Sequence, residues 1–313
     1  MKSVGEPEPE PELWSPAAPV PARRATGSVD AAALLALFPD VGLEDRSADV
    51  AGNARASVRL TGDARGEARR SRLGGSPDLP AGFVWPTWDG RELGFLGQVD
   101  LGDLAAADPE TPFPHEGLLL FFYDLVERPS GLLPAHRGSC RVVLLTGQAA
   151  ELEADGQHAP ALHPLPVEAS RELMLPSAWS FNAEPLELSP DEMDAWNDLR
   201  ERLAEAQGVE LEDTSPDQLT LHRLLGYPDE TGREVEVSCQ LASAGLDAED
   251  VGIYYGSAAD HDAEARTWRL LLQLTLDDSL ETRADSGFDR LYVCIREADL
   301  RDGRLDTAWA IMR

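Results

Sequence analysis

The chain has 313 residues, with 57 acidic and 27 basic side chains and a formal net charge of −30 at pH 7. Such a field repels phosphate backbones, which excludes nucleic acid as a general partner. The chain lacks the roughly 18 consecutive apolar residues of a membrane span and the apolar segment of a signal peptide. We therefore expect a cytoplasmic protein that contacts neither nucleic acid nor membrane.

The N-terminal segment, residues 1–28, is rich in proline, glutamate and alanine. This composition predicts a disordered acidic tail, because too little apolar surface is available to offset the entropy of ordering. Residues 29–313 are expected to form a single domain. A short helix is predicted at its start, where the apolar run AAALLALF follows Asp30 and ends before Pro39.

Strands account for most of the predicted elements. Apolar runs and alternating patterns predict strands at 54–62, 94–101, 117–125, 140–147, 269–277, 289–296 and 308–312. The segment 117–125, GLLLFFYDL, is apolar throughout and is expected to be a central buried strand.

The clearest predicted helix spans residues 189–208. Ser189 can cap it, Pro190 occupies its first turn and Glu192 completes a capping box. Its apolar residues recur at helical spacing and predict a core face. Shorter helices are predicted at 239–245 and 297–304, and a short helix or turn at 215–226. Because helices and strands do not alternate as in a parallel doubly wound fold, we expect an α+β fold with mixed or mainly antiparallel sheets.

An internal repeat is indicated by the pattern L-x-G-x-P-D, which begins at Leu73 and again at Leu224. Downstream, Gln98 and Gln273 occupy matching positions in apolar strands, and a further apolar strand follows each of them. We interpret these blocks as two degenerate subdomain repeats, at about 70–147 and 221–313, that share one core.

The same blocks carry a family resemblance. GGSPDLPAGFVWP, LGFLGQVDL, GLLLFFYD, HRLLGYPDE, WRLLLQL, RLYVCIREADL and the terminal AWAIM resemble the YwqG-like family, in order, over roughly residues 70–313. The resemblance implies a compact α+β fold but no defined activity. Some relatives are proposed to act as interaction or immunity modules near toxin systems, which implies a similar role here.

The first copy of the repeat carries four candidate site residues. Trp85 and Trp88 flank Pro86, so both indoles can be presented on a fixed loop as a peptide or carbohydrate surface; packing over the end of the sheet is the alternative. Gln98 and Asp100 are two residues apart and share one strand face, where buried polar groups need partners such as the amides of the neighbouring turn.

The second copy carries the other candidates, His222, Tyr227, Asp229 and Gln273. A histidine beside a carboxylate can serve as a general base, but the pattern favours a histidine that caps its own turn. The cysteines Cys140, Cys239 and Cys294 lack metal-binding spacing and are expected to be reduced core residues. No catalytic, phosphate-loop, cofactor or metal signature is present.

Two functions remain open from the sequence. The first is a non-enzymatic binding module, immunity-type by resemblance, whose acidic surface recognises a basic protein partner. The second is a small-molecule-binding protein or enzyme with its site in a cleft between the two repeats, where Gln98, Asp100, His222, Tyr227 and Gln273 would form the wall.

Overall fold

A computed structural model describes residues 41–62, 70–146, 153–154, 162–209, 221–229, 232–277, 280 and 289–313. The predicted tail and the predicted helix after Asp30 lie outside these residues. The helices are α1 (Ser47–Asn53), α2 (Leu101–Ala107), α3 (Pro190–Ala206), α4 (Val235–Ser243), α5 (Val251–Ser257), α6 (Asp262–Ala265) and α7 (Glu297–Arg301). None of these described helices is long and apolar enough to cross a bilayer.

The described strands number fourteen: β1 (Arg55–Gly62), β2 (Arg72–Leu73), β3 (Asp78–Leu79), β4 (Thr87–Trp88), β5 (Arg91–Glu92), β6 (Gly94–Asp100), β7 (Leu118–Tyr123), β8 (Cys140–Leu145), β9 (Glu153–Ala154), β10 (Leu165–Met174), β11 (His222–Leu225), β12 (Trp268–Leu276), β13 (Asp289–Arg296) and β14 (Trp309–Met312). Ten of them form one sheet in the order β14-β13-β12-β11-β1-β10-β2-β6-β7-β8. Each neighbouring pair is antiparallel, so the α+β prediction with mainly antiparallel strands is confirmed.

The main core lies on one face of this sheet and draws residues from all ten strands. Alternation along β1 places Val58 and Leu60 in this core, while Ser57 and Arg59 point to the opposite face. The two ends of the sheet also approach each other: Cys140 Sγ in β8 lies 3.4 Å from the carbonyl oxygen of Ala308, just before β14. The sheet is therefore curled around its core.

The outer face is covered differently in the two halves. The loop from Leu79 to Leu93 covers β6 and β7, with Phe95 and Phe122 beneath it. Helix α4 covers β12, β13 and β14, with Cys239 buried against Trp268. Helix α3 packs with α1 in a separate cluster beside β10.

Matching irregularities occur in the two halves. The pairing of β6 with β7 shifts between Phe95 and Gly97, just before Gln98. The pairing of β12 with β13 shifts between Leu270 and Leu272, just before Gln273. The strand order is also symmetric about the central pair β1 and β10. Counted outward from this pair, β11, β12, β13 and β14 on one side correspond to β2, β6, β7 and β8 on the other. Duplication stays a prediction, and these matched features support it.

The long helix forms as the sequence predicts. The Ser189 hydroxyl accepts a hydrogen bond from the backbone N–H of Glu192, and the Glu192 carboxylate accepts one from the backbone N–H of Ser189. Arg46 also donates to both carboxylate oxygens of Glu192, which joins α1 to the start of α3. The buried face of the helix is Trp196, Leu199 and Leu203.

The segment 215–226 differs from the prediction. Residues 215–220 lie outside the part of the chain that the structure describes, whereas His222–Leu225 form strand β11, so a helix is wrong for these four residues. Leu224 is buried in the main core between β1 and β12. Pairing on both edges outweighs the local helical signal of the Ser-Pro start, and this pairing depends on residues far away in the chain.

Candidate functional site

The two predicted turns make the same hydrogen bonds. In the first, Gln98 Oε1 accepts from the backbone N–H of Asp78 (2.8 Å), and Gln98 Nε2 donates to Asp78 Oδ2 (2.9 Å). In the second, Gln273 Oε1 accepts from the backbone N–H of Asp229 (2.8 Å), and Gln273 Nε2 donates to Asp229 Oδ2 (2.8 Å). Both glutamines are fully buried, and each side chain is used to hold its own turn.

An arginine completes each turn. Arg72 pairs with Asp78 at 2.7 Å, and Arg223 pairs with Asp229 at 3.0 Å. Burial alone would raise the pKa of Asp78, but the hydrogen bonds from Arg72 and Gln98 outweigh it and hold the pKa below its usual value. The Arg–Asp–Gln sets thus have a structural role in both halves.

Asp100 ends strand β6 and caps helix α2. Its Oδ1 accepts from the backbone N–H of Gly102 at 2.8 Å, and its Oδ2 pairs with Arg70 at 3.1 Å. A carboxylate at a helix N-terminus satisfies amides that otherwise lack partners. Asp100 therefore acts with the first turn and the helix that follows it.

His222 and Tyr227 are both buried beside the second turn. His222 Nδ1 accepts from the backbone N–H of Thr275 at 3.3 Å, and the Tyr227 hydroxyl donates to the carbonyl oxygen of Asn53 at 2.8 Å. Asp229 is bound instead by Arg223 and Gln273. Among the described contacts, His222 therefore does not pair with Asp229 as predicted.

Trp85 and Trp88 lie on the loop over the outer face of the first half. The Trp85 ring meets the Phe122 ring edge-on at 5.3 Å, and its Nε1 donates to the carbonyl oxygen of Leu93. Trp88 Nε1 donates to the carbonyl oxygen of Arg137. Both rings are half-buried in this arrangement, which matches the packing alternative rather than a freely presented surface.

A pocket of about 390 Å³ lies beside the second turn, on the face of the sheet that points away from the main core. Strand β10 and the segment after it, helix α3, and the second turn form its walls. The lining residues that bear on its chemistry are Glu172, Trp179, Arg200, Glu201, Arg223, Asp229 and Glu234. Of the sequence-predicted site residues, Tyr227 and Asp229 line this pocket, and the other six lie outside it.

A buried charge cluster forms the base of the pocket. Arg223, whose side chain is 3% exposed, lies between Glu172 at 3.2 Å and Asp229 at 3.0 Å. The distance between Arg223 Nε and the Glu172 carboxylate is that of an ion pair. The geometry is not that of a hydrogen bond, so Nε has no hydrogen-bond partner among the described residues. Charge attraction therefore holds this contact.

Gln207 fastens the wall formed by α3 to the wall formed by β10. Its Oε1 accepts from the backbone N–H of Leu173 at 2.6 Å, and its Nε2 donates to the carbonyl oxygens of Leu173 (3.0 Å) and Leu203 (2.9 Å). The amide side chain extends the hydrogen bonding of the strand edge toward the helix. Gln207 thus ties α3 to β10 at one side of the pocket.

The pocket has an excess of negative charge and one exposed aromatic ring. Four carboxylates, Glu172, Glu201, Asp229 and Glu234, face two guanidinium groups, Arg200 and Arg223. Trp179 also lines the pocket and is 70% exposed. An aromatic face beside carboxylates is suited to a cationic group, which is attracted both by the ring and by the charges.

Sequence reasoning missed Glu172, Trp179 and Glu234. Glu172 lies 51 positions before Arg223 in the chain, and the two meet only because β1 lies between β10 and β11 in the sheet. Trp179 stands in a segment without regular structure, where no periodic pattern marks it. An unpaired aromatic residue in a loop was the one available signal.

Metal binding is not indicated by the described residues, since no group of three or more His, Cys, Asp or Glu side chains among them could hold an ion. The three cysteines are buried and free. Burial raises the pKa of the Cys140 thiol to about 12, which keeps it protonated and unreactive at neutral pH.

The buried imidazole of His222 makes stability depend on pH. Burial lowers the pKa of His222 to about 4; nearby Asp277 opposes the shift and Arg290 adds to it. The unfolded chain binds a proton near pH 6.5, so this contribution is complete above pH 6.5 and is lost as the pH falls toward 4. We expect it to reach about 3 kcal/mol, at 1.36 kcal/mol for each pKa unit.

The measurement is urea unfolding between pH 7.5 and about 4. His222→Asn keeps an acceptor for the Thr275 amide but does not titrate, so it should flatten the profile over this range. His115→Asn removes an exposed imidazole and is the matched control. An unchanged slope in His222→Asn would show that other groups cause the acid loss.

Together, the fold and the pocket define an α+β protein with an acidic pocket against the outer face of a curled antiparallel sheet. A family model described as a domain of unknown function (DUF1963) matches residues 71–313, and the chain belongs to this family. The match includes both turns and every lining residue of the pocket. A comparison with curated proteins gave no match.

Proposed function

We propose that this protein is a binding module for a basic protein partner, and that the pocket takes up one cationic side chain of that partner. The observation that carries the proposal is the combination of excess carboxylates with the exposed ring of Trp179 in one pocket. The resemblance to the YwqG-like family, and through it the immunity-type role, is consistent with this function.

The charged side chains that line the pocket divide into two groups. Arg223 is neutralised by Glu172 and Asp229, which are committed to the base of the pocket. Glu201 and Glu234 then outnumber Arg200 in the rest of the lining. Glu234 Oε2 accepts from the Tyr254 hydroxyl at 2.8 Å, but a carboxylate has about four lone-pair sites and can accept further donors. These two carboxylates are the candidate contacts for an incoming cation.

The exposed tryptophan adds a second attraction. Aromatic residues, especially tryptophan, dominate binding energy at protein interfaces when a partner desolvates them. A guanidinium or ammonium group over such a ring gains about 0.5–1 kcal/mol at an exposed site. The overall charge of −30 would also steer a basic partner toward the protein and repel acidic ones.

The test is titration of an oligoarginine peptide into the full chain, followed by calorimetry. We expect binding at about 0.01 M salt, where the Debye length is about 30 Å, and clear weakening at about 0.15 M, where it is about 8 Å. The double change Glu201→Gln with Glu234→Gln should weaken binding about twofold to thirtyfold, given about 0.2–1 kcal/mol for each of two exposed charge pairs.

A matched control separates the pocket from general attraction to an acidic surface. Glu205→Gln with Asp191→Asn removes the same charge from exposed positions on α3 that do not line the pocket. Trp179→Ala has its own control in Tyr255→Ala, an equally exposed aromatic residue on α5. Equal effects of pocket and control variants would overturn the proposal, as would binding that is indifferent to salt.

A further inference from the structure

We propose that a segment of the protein's own N-terminal region, residues 14–29, docks at the pocket through Arg23 and Arg24 and competes with the partner. This inference rests in part on the proposed function, because both use the pocket as a site for cations. The docked segment would act as an internal pseudo-ligand that sets the affinity for external basic ligands.

The charge pattern of the N-terminal region is the first observation. Acidic residues occur up to Glu12 and resume at Asp30, and between them the only charged side chains are Arg23 and Arg24. In a chain of net charge −30, this sixteen-residue island is a rare stretch of net positive charge. The acidic lining of the pocket is complementary to it.

The position where the described structure begins is the second observation. Val41 and Leu43 pack in one cluster with Trp196, Leu199 and Leu203 of α3. Leu203 also lines the pocket, so the N-terminal region leaves the described structure against the helix that forms one wall.

Distance does not prevent this contact. An extended chain spans at most about 3.3–3.6 Å per residue, so the residues between Arg24 and Val41 can reach more than about 50 Å. Helix α3 has 17 residues and, at 1.5 Å per residue, is about 25 Å long. The tail can therefore pass along the whole helix and still bring its arginines to the pocket.

The composition of the segment suits an exposed aromatic ring. Pro16, Pro19 and Pro21 precede the two arginines, and proline-rich segments favour an extended helix that loses little entropy on binding. Such segments are commonly recognised by aromatic side chains in grooves. Trp179 supplies an exposed ring, and Glu201 and Glu234 supply the charges for the arginines.

The first experiment uses full-length protein with Arg23→Gln and Arg24→Gln. Tethering gives the segment an effective concentration in the millimolar range. A segment that binds with a dissociation constant in the same range would therefore occupy about half of the pockets. We then expect the variant to bind oligoarginine at least about twofold more tightly than the wild-type chain, because the competing segment is removed. Lys2→Gln, also in the tail, is the control and should leave the affinity unchanged.

The second experiment does not depend on the external ligand. A synthetic peptide with the sequence of residues 14–29 is titrated into the full-length Arg23→Gln, Arg24→Gln variant. We expect saturable binding that weakens in the background of Glu201→Gln with Glu234→Gln, but not in that of Glu205→Gln with Asp191→Asn. A peptide with both arginines replaced by glutamine should not bind.

The outcomes separate the two proposals. If oligoarginine binds the pocket while the tail peptide does not bind and the tail variant has unchanged affinity, the internal contact is wrong and the proposed function stands. If the tail peptide binds the pocket and oligoarginine does not, the internal contact stands and the proposed function is wrong. Binding of the tail peptide that ignores the pocket variants would overturn the docking site.

Discussion

Replacing Arg223 with alanine is expected to lower the free energy of unfolding by about 3–5 kcal/mol, because Glu172 would be left buried without a cation. Among the described residues, Arg223 is the ion-pair partner of Glu172, and both side chains are at most 5% exposed. Asp229 would retain Gln273 but lose its arginine. Urea unfolding at neutral pH measures the loss.

The first turn offers a matched control. Arg72→Ala removes the equivalent arginine, whose side chain is 17% exposed, and Asp78 keeps contacts with Gln98 and Arg70. The loss should therefore be clearly smaller than in Arg223→Ala. Because apolar replacement of a buried pair is often neutral, Arg223→Met with Glu172→Met should recover part of the stability, although Asp229 still lacks its arginine. Equal losses in the two turns, without recovery in the double variant, would contradict this account of the cluster.

Replacing Gly131 with alanine is expected to cost more than about 4 kcal/mol, which is exceptional for a single change. A Cβ at this position would lie 1.8 Å from the carbonyl oxygen of Ala310 in β14, and the backbone has φ of +79°. Gly131 also accepts a hydrogen bond from Trp309 Nε1 at 2.7 Å, and Ser130 accepts one from the backbone N–H of Met312. The segment around Gly131 thus covers the outer edge of β14.

Gly82→Ala is the control for backbone conformation alone. Gly82 has φ of +77°, and nothing lies within 4 Å of the position of a Cβ. Its replacement should cost only about 1–2 kcal/mol, the penalty of a left-handed conformation for an L-residue. Thermal or urea unfolding of the two variants measures the difference, and similar losses would show that the approach of Gly131 to β14 is not required.

Local sequence patterns were sufficient to predict most of the strands and the longest helix. The strand patterns at 94–101, 117–125 and 289–296 correspond to β6, β7 and β13, because each run has a mostly apolar stretch that is buried on both faces of the sheet. The capping signals at Ser189 and Glu192 place the start of α3 correctly. Helix α5 was missed, since two of its seven residues are glycine and little in the sequence marks it.

The repeated glutamines show what a pattern can and cannot decide. Their matching positions predict similar environments, and the hydrogen bonds of Gln98 and Gln273 with Asp78 and Asp229 agree with this prediction. The pattern also suggested a shared cleft. In the structure, each glutamine side chain instead forms hydrogen bonds with its own turn, because a buried amide needs nearby partners and the turn supplies them.

The sequence by itself determined the acidic character, the α+β class and the two L-x-G-x-P-D turns, because composition, periodicity and turn chemistry are local properties. Only the tertiary structure decided that a pocket forms at one turn. Glu172 and Arg223 meet across strand β1, and Trp179 and Glu234 join them from segments far apart in the chain. Such a site depends on strand order in the sheet, which pairing over long sequence distances establishes and no local pattern encodes.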